Sequence, residues 1–333
     1  MKVAVIGAGS FGTCLALLLH RNGHSVKMWS HSKDTCKAIQ EKRENIIYLP
    51  GYKIPNDINV SNSLEDTLSD VELVLFVVPT QVTREVLKEA KKFLSEKVWV
   101  VSASKGIEKN THALVSDIFV QELGDDAKER LFFLSGPSFA KEVAAGMPTA
   151  VTLAGFEERL IPAVQNIFSG KTFRAYGTTD VIGVEIAGAM KNVIALATGI
   201  TDGLGFGLNS RAAIMTRGLA EIARLGKELG ANPVTFMGLA GMGDLVLTCT
   251  GSLSRNRTVG LKLGEGKTLE EITKDMRMVA EGVPTTQSAY ELSKKYNVEM
   301  PITTLVYQVL YENRNVRDAA EALMSRRLKF EGE

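Results

Sequence analysis

An α/β doubly wound N-terminal domain followed by an all-α C-terminal domain is the fold this sequence predicts, and three observations carry the expectation. Short β-branched or apolar runs at 3–6, 25–29, 73–78, 98–102, 131–134 and 149–153 alternate with longer helical patterns. Strands without polar alternation are buried on both faces, as a parallel sheet requires. After Tyr176 the strand signal stops, and the chain reads as helices at 180–198, 210–229, 269–276, 285–295, 302–311 and 316–324. With 333 residues, the chain also exceeds the length at which one core stops growing. The expected division is 1–179 and 180–333, near Gly177-Thr178-Thr179-Asp180, where Thr or Asp can cap the first helix.

The first strand feeds straight into Gly7-Ala8-Gly9-Ser10-Phe11-Gly12, and a helix over 13–21 and a second strand at 25–29 complete a β-α-β unit. In that setting G-x-G-x-x-G predicts a dinucleotide site. Gly7 allows the tight turn, Gly9 lets backbone approach a pyrophosphate, and Gly12 permits close packing of strand and helix. The run at 71–80 ends in Pro79, which cannot continue a central strand, so Pro79 and Thr80 are candidates for ligand contact. Two loops follow strands and converge on the same edge. Ser102-Ala103-Ser104-Lys105-Gly106-Ile107-Glu108 carries a lysine, and Ser135-Gly136-Pro137-Ser138-Phe139-Ala140-Lys141-Glu142 resembles an anion nest.

In the helical half, Lys191 has Ala187, Gly188, Ile194 and Ala195 at three and four residues either way, so it stands on a small apolar face. Burial there disfavours the ammonium and brings the amine towards the range of acid-base chemistry. A lysine that snorkels to solvent along its methylenes is the commoner outcome for such a position. Residues 238–257 form a second cluster: glycines and Asp244, then hydroxyls, then Ser254-Arg255-Asn256-Arg257. Backbone N–H groups and guanidinium forks of this kind suit a phosphate. Ligand contact is expected of Arg255 and Asn256, whereas Arg257 reads as a structural residue and Ser254 as a helix cap.

Charge sets limits on partners. The 39 basic and 38 acidic residues leave a net charge of +1, which provides no field to gather nucleic acid or an anionic membrane. Cys14, Cys36 and Cys249 are few, odd in number and widely spaced, which suits a reducing compartment and offers no metal-ligand spacing. No uninterrupted apolar run reaches about 18 residues, and no cleavable leader precedes the first strand. A cytoplasmic protein without stable membrane insertion is expected.

Taken jointly, these segments resemble the bacterial NAD(P)-dependent glycerol-3-phosphate dehydrogenase family. The resemblance runs through essentially the whole chain and is carried by 7–13, 104–108, 135–145, 188–194, 238–250 with 254–257, and 280–285. It implies a Rossmann-like first domain and Lys191 as the catalytic lysine. It places Lys105, Gly136, Ser138, Lys191, Asp244, Ser254, Arg255 and Asn256 around glycerol 3-phosphate. For the dinucleotide it adds Ser10, Phe11, His31, Tyr48, Lys105, Ala140, Arg255, Val279 and Glu281 to the glycines Gly7, Gly9 and Gly12. The implied reaction is reversible hydride transfer from NAD(P)H to dihydroxyacetone phosphate, which makes the backbone of glycerophospholipids. Two other readings stay open: a related two-domain reductase of β-hydroxyacid or ketopantoate type, and a non-catalytic dinucleotide sensor, for which a basic recognition helix is lacking.

Cofactor choice departs from the usual fingerprint. An NAD-selective site commonly has Asp or Glu after the second strand, yet here the chain runs Met28-Trp29-Ser30-His31-Ser32-Lys33. A 2′-phosphate is therefore tolerable, with Ser30, Ser32 and Lys33 to help hold it. The resemblance also places arginine where His31 stands in many members, so both NAD and NADP are expected to work. An apolar α domain can supply a homodimer interface, but oligomeric state is left open.

Overall fold

The structure, a computed structural model, describes residues 1–274, 276, 279–328 and 330. Asp275, inside the helix expected over 269–276, lies outside the described residues.

The chain opens with β1 (Lys2–Ile6), α1 (Ser10–Arg21) and β2 (Ser25–Trp29), as the β-α-β reading requires. After α2 (Lys33–Lys42), a small hairpin of β3 (Glu44–Asn45) and β4 (Leu49–Lys53) leads to β5 (Asn59–Ser61) and α3 (Leu64–Leu68). Then come β6 (Leu73–Phe76), α4 (Thr80–Ala90), β7 (Trp99–Ser102), α5 (Val115–Leu123), β8 (Leu131–Ser135) and α6 (Ala140–Ala144). The sheet is completed by β9 (Thr149–Gly155), α7 (Ile161–Phe168) and β10 (Phe173–Thr178).

Eight strands form one sheet in the order β10-β9-β8-β7-β6-β1-β2-β5. From β1 the chain builds outward through β2 to β5 and then crosses to β6 on the other side. That reversal creates the crevice at the carboxyl ends of β1, β2 and β6 where open α/β sheets bind ligands. Apolar layers cover both faces, with Leu15, Leu18, Met28 and Phe168 on one side and Phe76, Leu87, Ile118 and Phe119 on the other.

Two expectations for this half need correction. The sheet is not wholly parallel, because β9 pairs antiparallel with β8, and β10 then follows parallel to β9. Doubly buried strands are apolar whichever way they run, so direction leaves no mark on composition. The strand signal also continues beyond the expected last strand, since β10 reaches Thr178. Its alternation of buried Phe173 and Ala175 with exposed Arg174 and Tyr176 is that of a strand at the sheet's edge.

The remaining elements are helical. They are α8 (Val181–Gly203), α9 (Leu208–Glu228), α10 (Asp244–Thr250), α11 (Arg255–Gly264), α12 (Leu269–Lys274), α13 (Gly282–Lys295), α14 (Pro301–Tyr311) and α15 (Val316–Met324). Asp180 caps α8 by accepting a bond from the Gly183 amide, one of the caps the sequence offers. Within 238–257 a π-helical turn at Leu239–Gly243 delivers the chain into α10, and α11 starts at Arg255 behind the Ser254 cap read from the sequence.

Helix α8 is the axis of this half. By length and composition it could cross a membrane, yet 94% of its apolar window is buried inside the protein, and Glu185 and Lys191 interrupt it. It is a core helix. It packs most extensively on α11, through Gly199 and Gly203 meeting Gly260 and Gly264, and it also touches β8 and β9. Lys191 is thereby held over the sheet's carboxyl edge.

Candidate active site

A cleft of about 780 Å³ runs along the carboxyl ends of β1, β2 and β6 and up to α8 and α11. At one end lies the glycine turn. Gly7 takes φ +121°, and a Cβ there would meet the Val77 carbonyl oxygen at 2.6 Å. A Cβ on Gly12 would fall 1.8 Å from the Gly7 oxygen, whereas one on Gly9 would meet nothing within 4 Å. The turn is thus packed tight on both sides and open in the middle. α1 begins there with no side-chain cap and no acidic residue in its first turn, so its N-terminal dipole faces the cleft uncompensated. This cradle fits a dinucleotide's diphosphate.

Beyond the glycines, Trp29, Ser30, His31 and Ser32 from the end of β2 line the cleft opposite Val82, Glu85, Val86 and Glu89 of α4. Asn62 fixes the β2 end by donating to the carbonyls of Ser30 and His31 at 2.8 and 2.7 Å. The Ser30 hydroxyl donates to the Ser32 carbonyl, and the Ser32 oxygen caps α2 by accepting from the Thr35 amide. Lys33 does not line the cleft, so of the three expected 2′-phosphate holders only the two serines are in place. Of Pro79 and Thr80, the proline lines the cleft, while Thr80 is wholly buried.

The other end holds a chain of buried charge. Asp244 is 1% exposed and sits between two ammonium groups: Lys191 Nζ donates to Oδ1, and Lys105 Nζ donates to Oδ2 at 2.7 Å. Lys105 also donates to the Gly136 carbonyl at 3.1 Å and stands 5.8 Å from the centre of the Phe11 ring. Burial drives the Lys191 amine from its ordinary value down to about 7, opposed by Asp244 and reinforced by Lys105. Burial opposes the Asp244 carboxylate, but the two lysines hold it below the usual range. The Lys191 amine is therefore poorly hydrated and reaches the cleft instead of bulk water.

Glycine makes this pairing geometrically feasible. Gly188 lies one turn before Lys191, and a Cβ there would press on Ser135 Oγ at 2.7 Å, with Lys105 Cγ in ordinary contact at 3.6 Å. α11 then contributes its N-terminus. Ser254 is its cap, accepting from the Arg257 amide, while Arg255 Nη1 donates to the Val279 carbonyl at 3.1 Å. Asn256 donates to Asn192 Oδ1 at 2.8 Å and accepts from the Gly282 amide at 2.9 Å. Arg257 turns away and pairs with Asp202 at 2.7 Å, the structural role read from sequence.

Most of the sequence candidates share this one cleft. Gly7, Gly9, Ser10, Phe11, Gly12, His31, Tyr48, Lys105, Ser138, Ala140, Lys191, Ser254, Arg255, Asn256, Val279 and Glu281 all line it. Gly136 and Asp244 do not line it and meet it only through Lys105 and Lys191. Glu281 accepts from the Thr80 amide at 3.2 Å, and burial raises its carboxyl to about 7. Sequence reading missed Asn192 and Thr248, which line the cleft beside Lys191, and the α4 wall. The spacing of 82, 85, 86 and 89 marks one helical face and was the available signal for that wall.

Comparisons with known proteins agree with this geometry. Residues 2–160 match the model for the NAD-dependent glycerol-3-phosphate dehydrogenase N-terminus, and residues 180–321 match that for its C-terminus. A glycerol-3-phosphate dehydrogenase [NAD(P)+] from Citrifermentans bemidjiense is 54% identical over 331 residues, covering 99% of both chains. One from Bacillus thuringiensis is 49% identical over 332 residues, covering 100% of this chain and 98% of the relative. The crystal structure of glycerol-3-phosphate dehydrogenase from Coxiella burnetii superimposes with a TM-score of 0.93 at 39% identity, covering 98% of this chain and 99% of that one. With both family models matched in sequence order and full-length relatives at about half identity, the chain belongs to the family of bacterial NAD(P)-dependent glycerol-3-phosphate dehydrogenases.

Proposed function

We propose that this protein is an oxidoreductase that interconverts dihydroxyacetone phosphate and sn-glycerol 3-phosphate with NAD(P)H, supplying the backbone of glycerophospholipids. The observation that carries the proposal is the placement of Lys191 and Lys105, held together by buried Asp244, on the same cleft as the glycine turn. Bound NAD(P)H supplies the hydride for the substrate's C2. The protein's own residues supply position, charge and a proton. During ketone reduction negative charge grows on the C2 oxygen, and the Lys191 ammonium gives its proton there while Lys105 stabilises charge alongside. Asp244, buried and shared, holds both amines in place. In the reverse direction neutral Lys191 takes the hydroxyl proton.

Arg255, Asn256 and the N-terminus of α11, with Ser138, hold the phosphate, so binding energy remote from C2 fixes the alignment of the reacting carbon. Gly7, Gly9, Ser10, Phe11 and Gly12 take the diphosphate, and His31, Tyr48, Ala140, Val279 and Glu281 border the rest of the dinucleotide. Residues 1–179 form the dinucleotide half and 180–333 the substrate half in this reading. A cytoplasmic location goes with this reading, and exposed Leu208, Val234 and Met237 are apolar side chains on the helical half that a homodimer contact could use. The identity of 54% along the full length disfavours a hydroxyacid or ketopantoate-type reductase.

The deciding assay follows loss of NADH and NADPH absorbance with dihydroxyacetone phosphate, ketopantoate and a β-ketoacid offered in parallel. Turnover of the phosphorylated ketone is expected with both cofactors. Turnover of an acid alone would replace this proposal.

A further inference from the structure

Glu185 lies on α8 six residues before Lys191 and has no part in the chemistry described above. It is 8% exposed, and among the described residues no cation pairs with it. Its Oε1 accepts from the Ser116 amide at 2.9 Å, and its Oε2 accepts from the Ser116 hydroxyl. Ser116 belongs to the first turn of α5, where Leu114 at the cap position offers no side-chain acceptor of its own. The carboxyl of Glu185 therefore caps a helix of the sheet layer from a helix of the other half. Burial raises it to about 8, so the contact is maintained against a desolvation cost.

A reason for that arrangement follows from the face that α8 presents. Between its start and Lys191 it carries the small residues Gly183, Ala187, Gly188 and Ala189, and the residues it adds to the apolar cluster around α5 are Val181 and Val184. Apolar burial of this kind is non-directional, so it holds the layers together without itself fixing register along the helix. The directional pair of hydrogen bonds from Ser116 adds register at this end of α8, as the longer Asn192 Nδ2 bond to the Lys105 carbonyl at 3.5 Å does just beyond Lys191. Thr198 and Thr201 cannot do so, because each bonds to a carbonyl of α8 itself.

We infer that Glu185 is a positioning residue for the reaction: by clamping α8 to the N-terminus of α5, it fixes how far along the cleft the Lys191 amine stands. The inference rests on the dehydrogenase reading above. Displacement of a reacting group by about 1 Å can cost on the order of 100-fold in rate, so a slip too small to unfold the protein is visible in turnover.

The experiment compares Glu185→Met, Glu185→Gln and Ser116→Ala in the full chain. It measures kcat and KM for dihydroxyacetone phosphate, NADH affinity by fluorescence without substrate, and thermal melting. Met keeps the length and removes the acceptors, so kcat is expected to fall roughly 30- to 100-fold with NADH affinity within about twofold of wild type. Gln keeps an acceptor for the Ser116 amide and gains a donor for its hydroxyl, so kcat should recover to within about threefold. Equal kcat in folded Glu185→Met and wild type overturns the inference, as does NADH affinity that falls in step with kcat. If Glu185→Met does not fold, Ser116→Ala decides: a drop in kcat of about fivefold with unchanged NADH affinity upholds the clamp, and unchanged kcat overturns it. Failure of wild type itself to turn over dihydroxyacetone phosphate would instead overturn the dehydrogenase reading and this inference with it.

Discussion

The glycine turn after β1 and the seam between α8 and α11 both depend on missing side chains, but they use the absence in opposite ways. At Gly9 an added Cβ would meet nothing within 4 Å, so the space is reserved for something from outside the chain. At the seam every vacancy is already filled by backbone. A Cβ on Gly199 would stand 2.2 Å from the Arg257 carbonyl oxygen, and one on Gly260 would stand 2.1 Å from that of Leu196. Gly203 and Gly264 repeat the contact one turn on, at 2.2 and 2.3 Å. The turn binds, and the seam builds. What the seam builds is the proximity of the α11 N-terminus to Lys191, so chemistry at one end of the cleft and dinucleotide binding at the other should be separable by mutation.

The largest effect expected is on Lys191. Its replacement by Ala removes the proton donor and should lower kcat about 10³-fold while NADH affinity stays within about twofold. A matching loss of NADH affinity would break the separation between the two ends. The pH profile sharpens the same point. With the Lys191 amine lowered to about 7, its charged form, which ketone reduction needs, is lost as pH rises through that value. Reduction should therefore fall about tenfold per pH unit above 7, and oxidation of glycerol 3-phosphate should rise through the same midpoint. Neither limb should remain in Lys191→Ala.

Next come the glycines themselves, as a matched pair. Gly260→Ala has to force α8 and α11 apart and should destabilise by about 2–3 kcal/mol, read as a lower melting temperature. Gly9→Ala should leave stability within about 0.5 kcal/mol. The residue has φ −75°, which alanine adopts without strain. Its methyl group would occupy the space meant for diphosphate, so NADH affinity should fall by about tenfold. Equal effects on melting would show that the two sets of glycines do the same job.

This contrast also explains what the sequence disclosed. The glycine turn was legible because its function is local: strand, turn and helix are contiguous, and each glycine has a stated reason. Lys191 was legible from its small apolar neighbours, which also mark the helix as buried. The seam was not, since Gly199 and Gly203 acquire meaning only beside Gly260 and Gly264, about 60 residues away along the chain. For the same reason 238–257 showed only as a cluster of glycines, hydroxyls and charge, although its π-helical turn and α10 are what aim Asp244 between the two lysines. Strand direction escaped as well, because β9 buries Val151, Leu153 and Ala154 as the parallel strands bury their apolar residues, and nothing in its composition records the reversal. Asn192 escaped because a buried amide beside a catalytic candidate has no spacing signature; its partner, Asn256, comes from another helix.

The smallest effect concerns the adenosine end, where the turn's openness leaves specificity to the end of β2. His31 is exposed there, its ring edge-on to Trp29 at 5.9 Å, and its backbone is fixed by Asn62. An imidazole has no planar fork of donors to match the oxygens of a 2′-phosphate. Arginine at the same position would bring a guanidinium fork on a backbone already held in place, between Ser30 and Ser32 at the cleft wall. His31→Arg should therefore raise kcat/KM for NADPH about threefold to tenfold and leave that for NADH within twofold. The gain should shrink as salt is added, because the contact is exposed and screened. A gain shared equally by both cofactors would mean that position 31 touches the adenosine in general and leaves the 2′-position unread, and selectivity would then have to be sought across the cleft on α4, where Glu85 and Glu89 face the same space.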